Sequence, residues 1–378
     1  MDVSSQLIDT RTTLGLYYIQ MNYHDEAKRV VEPSLALALE GPYRKRLAQI
    51  YTILGSYHFI VEEDFEKAIH ELELALCISN EVGHVLCLFL SNFWMGFALV
   101  FTCDFDKALK HWRSALDINE AADSLWGVSV VKSAMAWALA KQGNIRLSHE
   151  TSVEALRLAQ QSGDIFSKAY AFGGNGISLF HKGELEKALD SLREGTHLCD
   201  RISYFSMGSL FHGYLGDALY HLGDFGGAEA SLQKAVDLGR RSKFVASLNH
   251  LYELMILKSR LARCQAVDME AVFACTRQNR IRINDGALAY HVAEILLMRD
   301  RKPSEEAGQW IGKAIEHDQE NGMTWYLGQD HLLAAAYWKQ REDPGKARYH
   351  LSLAGDLFKK SGADGWAVNA QMELKALQ

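Results

Sequence analysis

A small side chain recurs about every 40 positions along this chain of 378 residues: Ser34, Ala75, Ala115, Ala155, Gly195, Ala235, Ala274, Ala314 and Ala354. Seven positions before each lies a second line of mostly small residues, namely Ala27, Ala68, Ala108, Ser148, Ala188, Ala228, Val267, Ala307 and Ala347. A third line, some twelve positions further upstream, runs through Gly15, Gly55, Gly96, Ala136, Gly176 and Gly216 and blurs to Met255, Ile295 and Ala335. Three registers repeating in phase describe an array of stacked supersecondary units. Between the columns, large apolar residues fall at helical spacing, as in Ile50, Ile53, Leu54 and Tyr57, then Phe65, Ile69, Leu72 and Leu76. Small residues at matched positions let two helix backbones approach, so the columns read as packing devices with no catalytic role.

The order of the three columns is similar to the tetratricopeptide motif, a pair of antiparallel helices per unit. The expected fold is all-α, a tetratricopeptide-like superhelix of nine helix pairs, eighteen helices in a right-handed solenoid where each unit touches only its neighbours. One continuous array is expected over 1–378, with regular units over 7–242, divergent units over 243–302, and C-terminal units with a capping helix over 303–378. Gly143, Gly183 and Gly223 fall between paired helices, and Gly83, Gly163, Gly322 and Gly362 follow second helices. Pro303 and Pro344 sit where second helices should begin, and no other proline is expected to break a helix. A 40-residue unit exceeds the motif's usual length of about 34 residues, which lengthens its helices by more than one turn. The first unit lacks the polar outer face of a terminal cap, whereas the segment from Trp366 to Leu377 reads as a closing helix.

A formal net charge of −7, with 48% hydrophobic and 23% charged residues, gives no bulk nucleic-acid signal. Without an apolar run of transmembrane length or a signal peptide, the expected location is cytoplasmic and no membrane partner is expected. The six cysteines, Cys77, Cys87, Cys103, Cys199, Cys264 and Cys275, show no CxxC pairing and read as reduced core thiols. HExxH, GxxxxGK[ST], GxSxG and GxGxxG are all absent, so no catalytic residue, cofactor or metal is assigned and the chain reads as a non-enzyme. His181 and His221 lie one repeat apart, which repeat symmetry explains without a metal. The acidic run Glu62, Glu63 and Asp64 reads as a solvated inter-helix loop and a helix start.

Two features rise above the scaffold. Phe89, Phe93, Phe97 and Phe101 are spaced by four along one helix, with Phe59, Trp137, Phe180 and Tyr220 as neighbours from other units. They form either an aromatic groove wall that captures a protein or peptide or the filling of a tightly coiled inner face. A clamp for acidic chaperone tails is argued against, because the matching places hold Phe93, Phe97, Ser133 and Trp137. The second feature is charge: between Arg240 and Lys302 twelve basic residues stand against six acidic, net +6, where the repeat signature also blurs. Within it Arg277, Arg280 and Arg282 are candidates for a basic docking face, the alternative being an ordinary solvated surface.

The stretches "QIYTILGSYHFIVEEDFEKAIHELELALCISNEVG", "FDKALKHWRSALDINEAADSLWGVSVVKS" and "SGDIFSKAYAFGGNGISLF" resemble the tetratricopeptide region that follows the ATPase module in bacterial adenylate/guanylate cyclases and related ATPase regulators. The likeness spans Arg44 to Ser242. It implies a sensor or interaction tail of a larger signalling protein, docking on upstream domains of the same polypeptide, and carries over no catalytic residue. The alternative is a free-standing peptide-binding receptor or adaptor, similar in repeat length to bacterial quorum-peptide regulators, although only about a dozen residues precede the first unit. The uncapped first unit also suits a homodimer contact.

Overall fold

The computed structural model describes residues 3–300 and 303–377. Among these residues nine helix pairs follow one another. Unit 1 pairs α1 (Val3–Gln20) with α2 (His24–Val31) and α3 (Leu35–Glu40), and unit 2 pairs α4 (Arg44–Tyr57) with α5 (Phe65–Val82). Units 3 and 4 are α6 (Val85–Phe101) with α7 (Phe105–Ala121) and α8 (Leu125–Gln142) with α9 (Ile145–Ser162). Units 5 and 6 are α10 (Ile165–Lys182) with α11 (Leu185–Arg201) and α12 (Phe205–His221) with α13 (Phe225–Ser242). Unit 7 is α14 (Ser247–Ala262) with the short α15 (Met269–Arg277), and unit 8 is α16 (Asp285–Arg299) with α17 (Glu305–Glu320). Unit 9 is α18 (Thr324–Gln340) with α19 (Pro344–Ser361), capped by α20 (Asp364–Lys375). No strand occurs among the described residues.

The glycine column does what its spacing requires. A Cβ on Gly55, Gly96, Gly176 or Gly216 would collide with Leu72, Trp112, Leu192 or Leu232, each on the second helix of the same unit. The alanine columns on those second helices are fully buried, for example Ala68, Ala75, Ala108 and Ala115. Two turn readings need correction. Pro33 lies in a 3-10 turn over Glu32–Ser34 that splits the second helix of unit 1, because its ring denies the helix an N–H donor. Pro303 precedes the Ser304 cap of α17 rather than starting the helix, while Pro344 does begin α19.

The array does not remain a neighbour-only solenoid; it coils until distant units touch. After α13 the chain passes through left-handed backbone at Lys243 (φ 52°) and Val245 (φ 41°). This conformation is strained for a β-branched valine. It seats Phe244 against Phe59 and Phe101, with ring centroids 6.4 Å from each. The Val245 N–H donates to the Ile60 carbonyl of unit 2 at 2.8 Å, and the Glu63 carboxylate accepts from the Ser247 N–H and hydroxyl at 2.7 and 2.6 Å. Asp64 caps α5, as a helix start requires, whereas Glu62 pairs with Lys28 at 3.2 Å, so Glu62 and Glu63 form a junction and not a solvated loop. Further along, Trp366 of the capping helix donates its indole N–H to the Phe180 carbonyl at 3.0 Å, and Lys141 reaches Tyr326 of unit 9 at 2.6 Å. One buried core consequently runs from Leu16 to Ala370.

Candidate functional site

Closure decides the fate of the aromatic stripe. Phe59, Phe97, Phe101, Trp137 and Phe180 are at most 4% exposed. The groove-wall reading is corrected for Phe97, Phe101, Trp137 and Phe180, because the coil folds other units onto the inner face. Phe101 meets Phe59 and Trp137 at 5.5 and 5.6 Å. Phe180 meets Trp325 at 5.7 Å. Trp137 donates to the Tyr214 hydroxyl at 3.3 Å. Tyr220 is half-buried, with the Lys258 ammonium 3.7 Å from its ring centroid, and belongs to the interior of units 6 to 8.

Phe89 and Phe93 lie elsewhere. They line an apolar cavity of about 630 Å3 at the N-terminal ends of α6, α8, α10 and α12, beside the end of α1. Its walls are Phe89, Phe93 and Trp94 from α6, Trp126 from α8, Phe166 from α10, and Tyr204 at the cap of α12. Phe166 bridges Tyr204 at 4.9 Å and Trp126 at 6.5 Å. His84 and Asp164 accept from the Cys87 and Ser167 amides at the starts of α6 and α10, which fixes where those helices begin. Asn22 of unit 1 donates to Ser206 at 3.0 Å and closes the floor. The rim is apolar and open to solvent: Val85 is 59% exposed and Leu86 and Trp126 are each 44% exposed. The Trp94 indole N–H is buried there without a hydrogen-bond partner. Leu86, Trp126 and Phe166 stand 40 residues apart at the second position of successive first helices, a repeat-phase signal that the helix-face reading missed.

The basic stretch is largely neutralised by its own fold. Arg240 pairs with Glu253, Lys243 with Asp25, Arg260 and Arg263 with Glu229, and Arg299 with Asp300. Arg277, Arg280 and Arg282 are all exposed. Arg277 pairs with Glu270, and Arg282 donates to Asn321 at 2.6 Å. Arg301 and Lys302 lie outside the described residues. His181 is fully buried; its Nδ1 bonds the Ile177 carbonyl at 2.8 Å and its Nε2 the Tyr326 hydroxyl at 3.2 Å, and burial pulls its pKa down to about 3. Cys77 and Cys264 are exposed, which corrects their reading as core thiols; Cys87, Cys199 and Cys275 are buried and Cys103 is half-buried. No helix among the described residues is long and apolar enough to cross a membrane.

Paired helices in small-residue register, coiled into a superhelix with an apolar mouth, define a tetratricopeptide-like repeat array. No protein-family model and no curated protein matches the sequence. Among solved structures, it is similar to the Rap conjugation gene regulator of the plasmid pLS20 in complex with the Phr* peptide, at 14% identity and a TM-score of 0.62. That match covers 83% of this chain and 95% of that one. It is also similar to the apo form of the quorum sensor NprR from B. thuringiensis, at 12% identity, 94% and 100% coverage and a TM-score of 0.56. The apo form of RapI matches at 13% identity, 98% and 99% coverage and a TM-score of 0.51. At these identities the likeness establishes the fold, and the cyclase resemblance continues to rest on sequence alone.

Proposed function

We propose that this chain is a non-enzymatic, cytoplasmic interaction array that captures a short peptide or an amphipathic segment by apolar anchors. The capture site is the mouth formed by Phe89, Phe93, Trp126 and Phe166. One observation carries the reading: a cavity of about 630 Å3, aromatic on several sides, is rimmed by Val85, Leu86 and Trp126, which leave much of their apolar surface in water. A pocket of that volume suits two or three side chains, and rigid aromatic walls lose little entropy on binding. Peptide recognition among fold relatives supports it, since the pLS20 regulator was solved with the Phr* peptide. The test is selection of short peptides from a displayed library on the full chain, followed by titration against Trp126→Ala and Leu86→Asp. Both variants should keep the native melting temperature and weaken selected peptides at least about tenfold. Selected peptides that bind the variants as tightly as the parent would refute this site.

The resemblance over Arg44–Ser242 favours one elaboration, in which the array is the sensor or interaction tail of a cyclase- or ATPase-type signalling protein. In that setting Arg277, Arg280 and Arg282 offer a basic face to an upstream domain. The exposed Tyr17, Met21, Tyr23 and Leu39 of unit 1 offer an apolar face to such a domain or to a second copy. Reversing the three arginines to glutamate should then abolish docking of the upstream domain at low salt, and unchanged docking would remove that face from the proposal.

A further inference from the structure

Where the coil closes, its interior is polar. Two adjoining spaces of about 60 and 40 Å3 share Asp217, Ala287, His291 and Tyr326 as common wall. At one end stands Lys141 of α8, 7% exposed. Its ammonium donates to the Tyr326 hydroxyl at 2.6 Å and lies 4.5 Å from that ring's centroid. No carboxylate lies within ion-pair distance of it among the described residues, and an ammonium has two further protons to donate. At the other end stand Asp318 of α17 and Asp330 of α18, each 1% exposed. Both oxygens of Asp318 and one of Asp330 are buried with no nitrogen donor in reach, and the two carboxyls hydrogen-bond to each other.

Neighbouring charges do not answer these two ends. Lys258 is committed to Glu294 at 3.1 Å, which also faces His291 at 3.3 Å, and Asp217 faces His221 at 3.7 Å. Two further groups point to a ligand: the indole N–H of Trp325, 3% exposed, and the amide nitrogen of Gln329, 7% exposed. Both line the space and both lack a partner. Burying polar groups without partners is costly, and here an ammonium and a carboxyl pair stand apart across a space that neither fills.

We propose that this space binds a small zwitterion, an α-amino acid with few side-chain atoms, with its ammonium on Asp318 and Asp330 and its carboxylate on Lys141. Size agrees: at roughly 10–15 Å3 per water-sized position, the two spaces hold about seven non-hydrogen atoms. Chemistry agrees as well. Tyr290, Trp325 and Tyr326 surround the aspartate end with aromatic faces, which favour an ammonium. At the other end the two unpaired ammonium protons of Lys141 serve the carboxylate. Burial holds both carboxyls above their usual range, and Asp330 is pushed further by the Asp318 carboxyl beside it. The lining comes from α6, α8, α12, α14, α16, α17 and α18, so a bound zwitterion would tie units 3, 4 and 6 to 9 together and lock the closed coil. This site is separate from the apolar mouth and does not depend on the peptide reading.

The experiment is calorimetric and thermal titration of the full chain with glycine, L-alanine and L-serine at millimolar concentration. N-acetyl-L-alanine and L-alaninamide serve as probes that each lack one charge. At least one free amino acid should raise the melting temperature by about 2 °C or more at saturation, and each derivative should bind at least about tenfold more weakly. Lys141→Met and Asp330→Asn should each abolish the shift. Absence of a shift with all three amino acids, equal binding by a derivative, or a shift that survives in both folded variants overturns the proposal. The derivatives decide the matter on the native chain even where a variant fails to fold.

Discussion

Phe101 separates a closed coil from an open groove. Its ring, 1% exposed, ends α6 among Phe59 and Phe65 of unit 2, Trp137 of unit 4 and Phe244 from the unit 6–7 junction, with centroids 5.5 to 6.4 Å away. Truncating a phenylalanine so enclosed removes its transfer free energy and leaves a cavity whose walls come from three units. Phe101→Ala should therefore cost about 3–5 kcal/mol. Were the same ring the wall of a solvated groove, the loss would be about 0.5 kcal/mol. Urea unfolding followed by circular dichroism reads the difference as a lowered midpoint at constant slope. A double-mutant cycle with Phe244→Ala asks specifically about closure, because these residues are far apart in sequence and meet only if the coil closes. The cycle should return a coupling of about 0.5–1.5 kcal/mol. A single-mutant loss below about 1.5 kcal/mol, or strict additivity in the cycle, would refute the closed core.

Three further outcomes follow from the same packing. Glu63→Ala removes two charge-assisted hydrogen bonds to Ser247 and should destabilise the protein by about 2–3 kcal/mol; exchange of the Val245 amide, which bonds to Ile60, should accelerate at least about tenfold, and unchanged protection would count against a junction held there. Burial raises the Asp318 pKa from 3.8 to about 7, so the protonated carboxyl is favoured in the folded state. The stability this contributes is fully present below the unfolded-state value near pH 4 and is lost as pH rises through the raised folded-state value. In buffer free of amino acids, Asp318→Asn should flatten the fall in urea midpoint between pH 5 and pH 8, and an unaltered slope would exclude Asp318 as its source. In a thiol titration of the native chain Cys77 and Cys264 should react quickly; Cys87, Cys103 and Cys275, with pKa values pushed up to about 11, 12 and 11, should react only on unfolding, as should the buried Cys199.

Pairing within each unit was legible from sequence because it is local. Gly55, Gly96, Gly176 and Gly216 each meet a side chain 16 or 17 residues on, so a column in the sequence maps directly onto a contact in space. Closure was not legible in that way. It depends on the small rotation between successive units summed over several of them, and no single residue encodes that sum. Phe89, Phe93, Phe97 and Phe101 share a helix face, and the two possible environments for such a face differ only in how far the coil turns. The structure divides the four: Phe97 and Phe101 enter the core, Phe93 belongs to the core and also lines the mouth, and Phe89 reaches the mouth. The Leu86, Trp126 and Phe166 column could have been found by asking which apolar residues recur outside the packing registers. The pairing of Lys141 with Tyr326 of unit 9 had no such signal, because it joins units that are five apart along the chain.

Repeat divergence is commonly read as decay, but here it coincides with the second set of contacts that closure demands. In a neighbour-only array every unit meets the same two surfaces, and the same columns serve throughout. Once the unit 6–7 junction must also meet unit 2, its residues answer to a second neighbour: Val245 adopts left-handed backbone, Phe244 enters a foreign core, and Ser247 takes the carboxylate of Glu63. The second helix of unit 7 then shortens to Met269–Arg277 and leaves Val267 outside the helix. Much of the positive charge of that stretch goes into ion pairs between units, such as Lys243 with Asp25 and Arg260 with Glu229. On the proposed reading, closing the middle of the coil also displaces recognition. With helix centres packed against distant units, the apolar surface left in water on the inner side lies at the starts of first helices, where Val85, Leu86 and Trp126 surround the mouth. Ligand contacts in an array coiled this tightly should therefore be sought at helix ends, one repeat apart, and not along the helix faces that line an open groove.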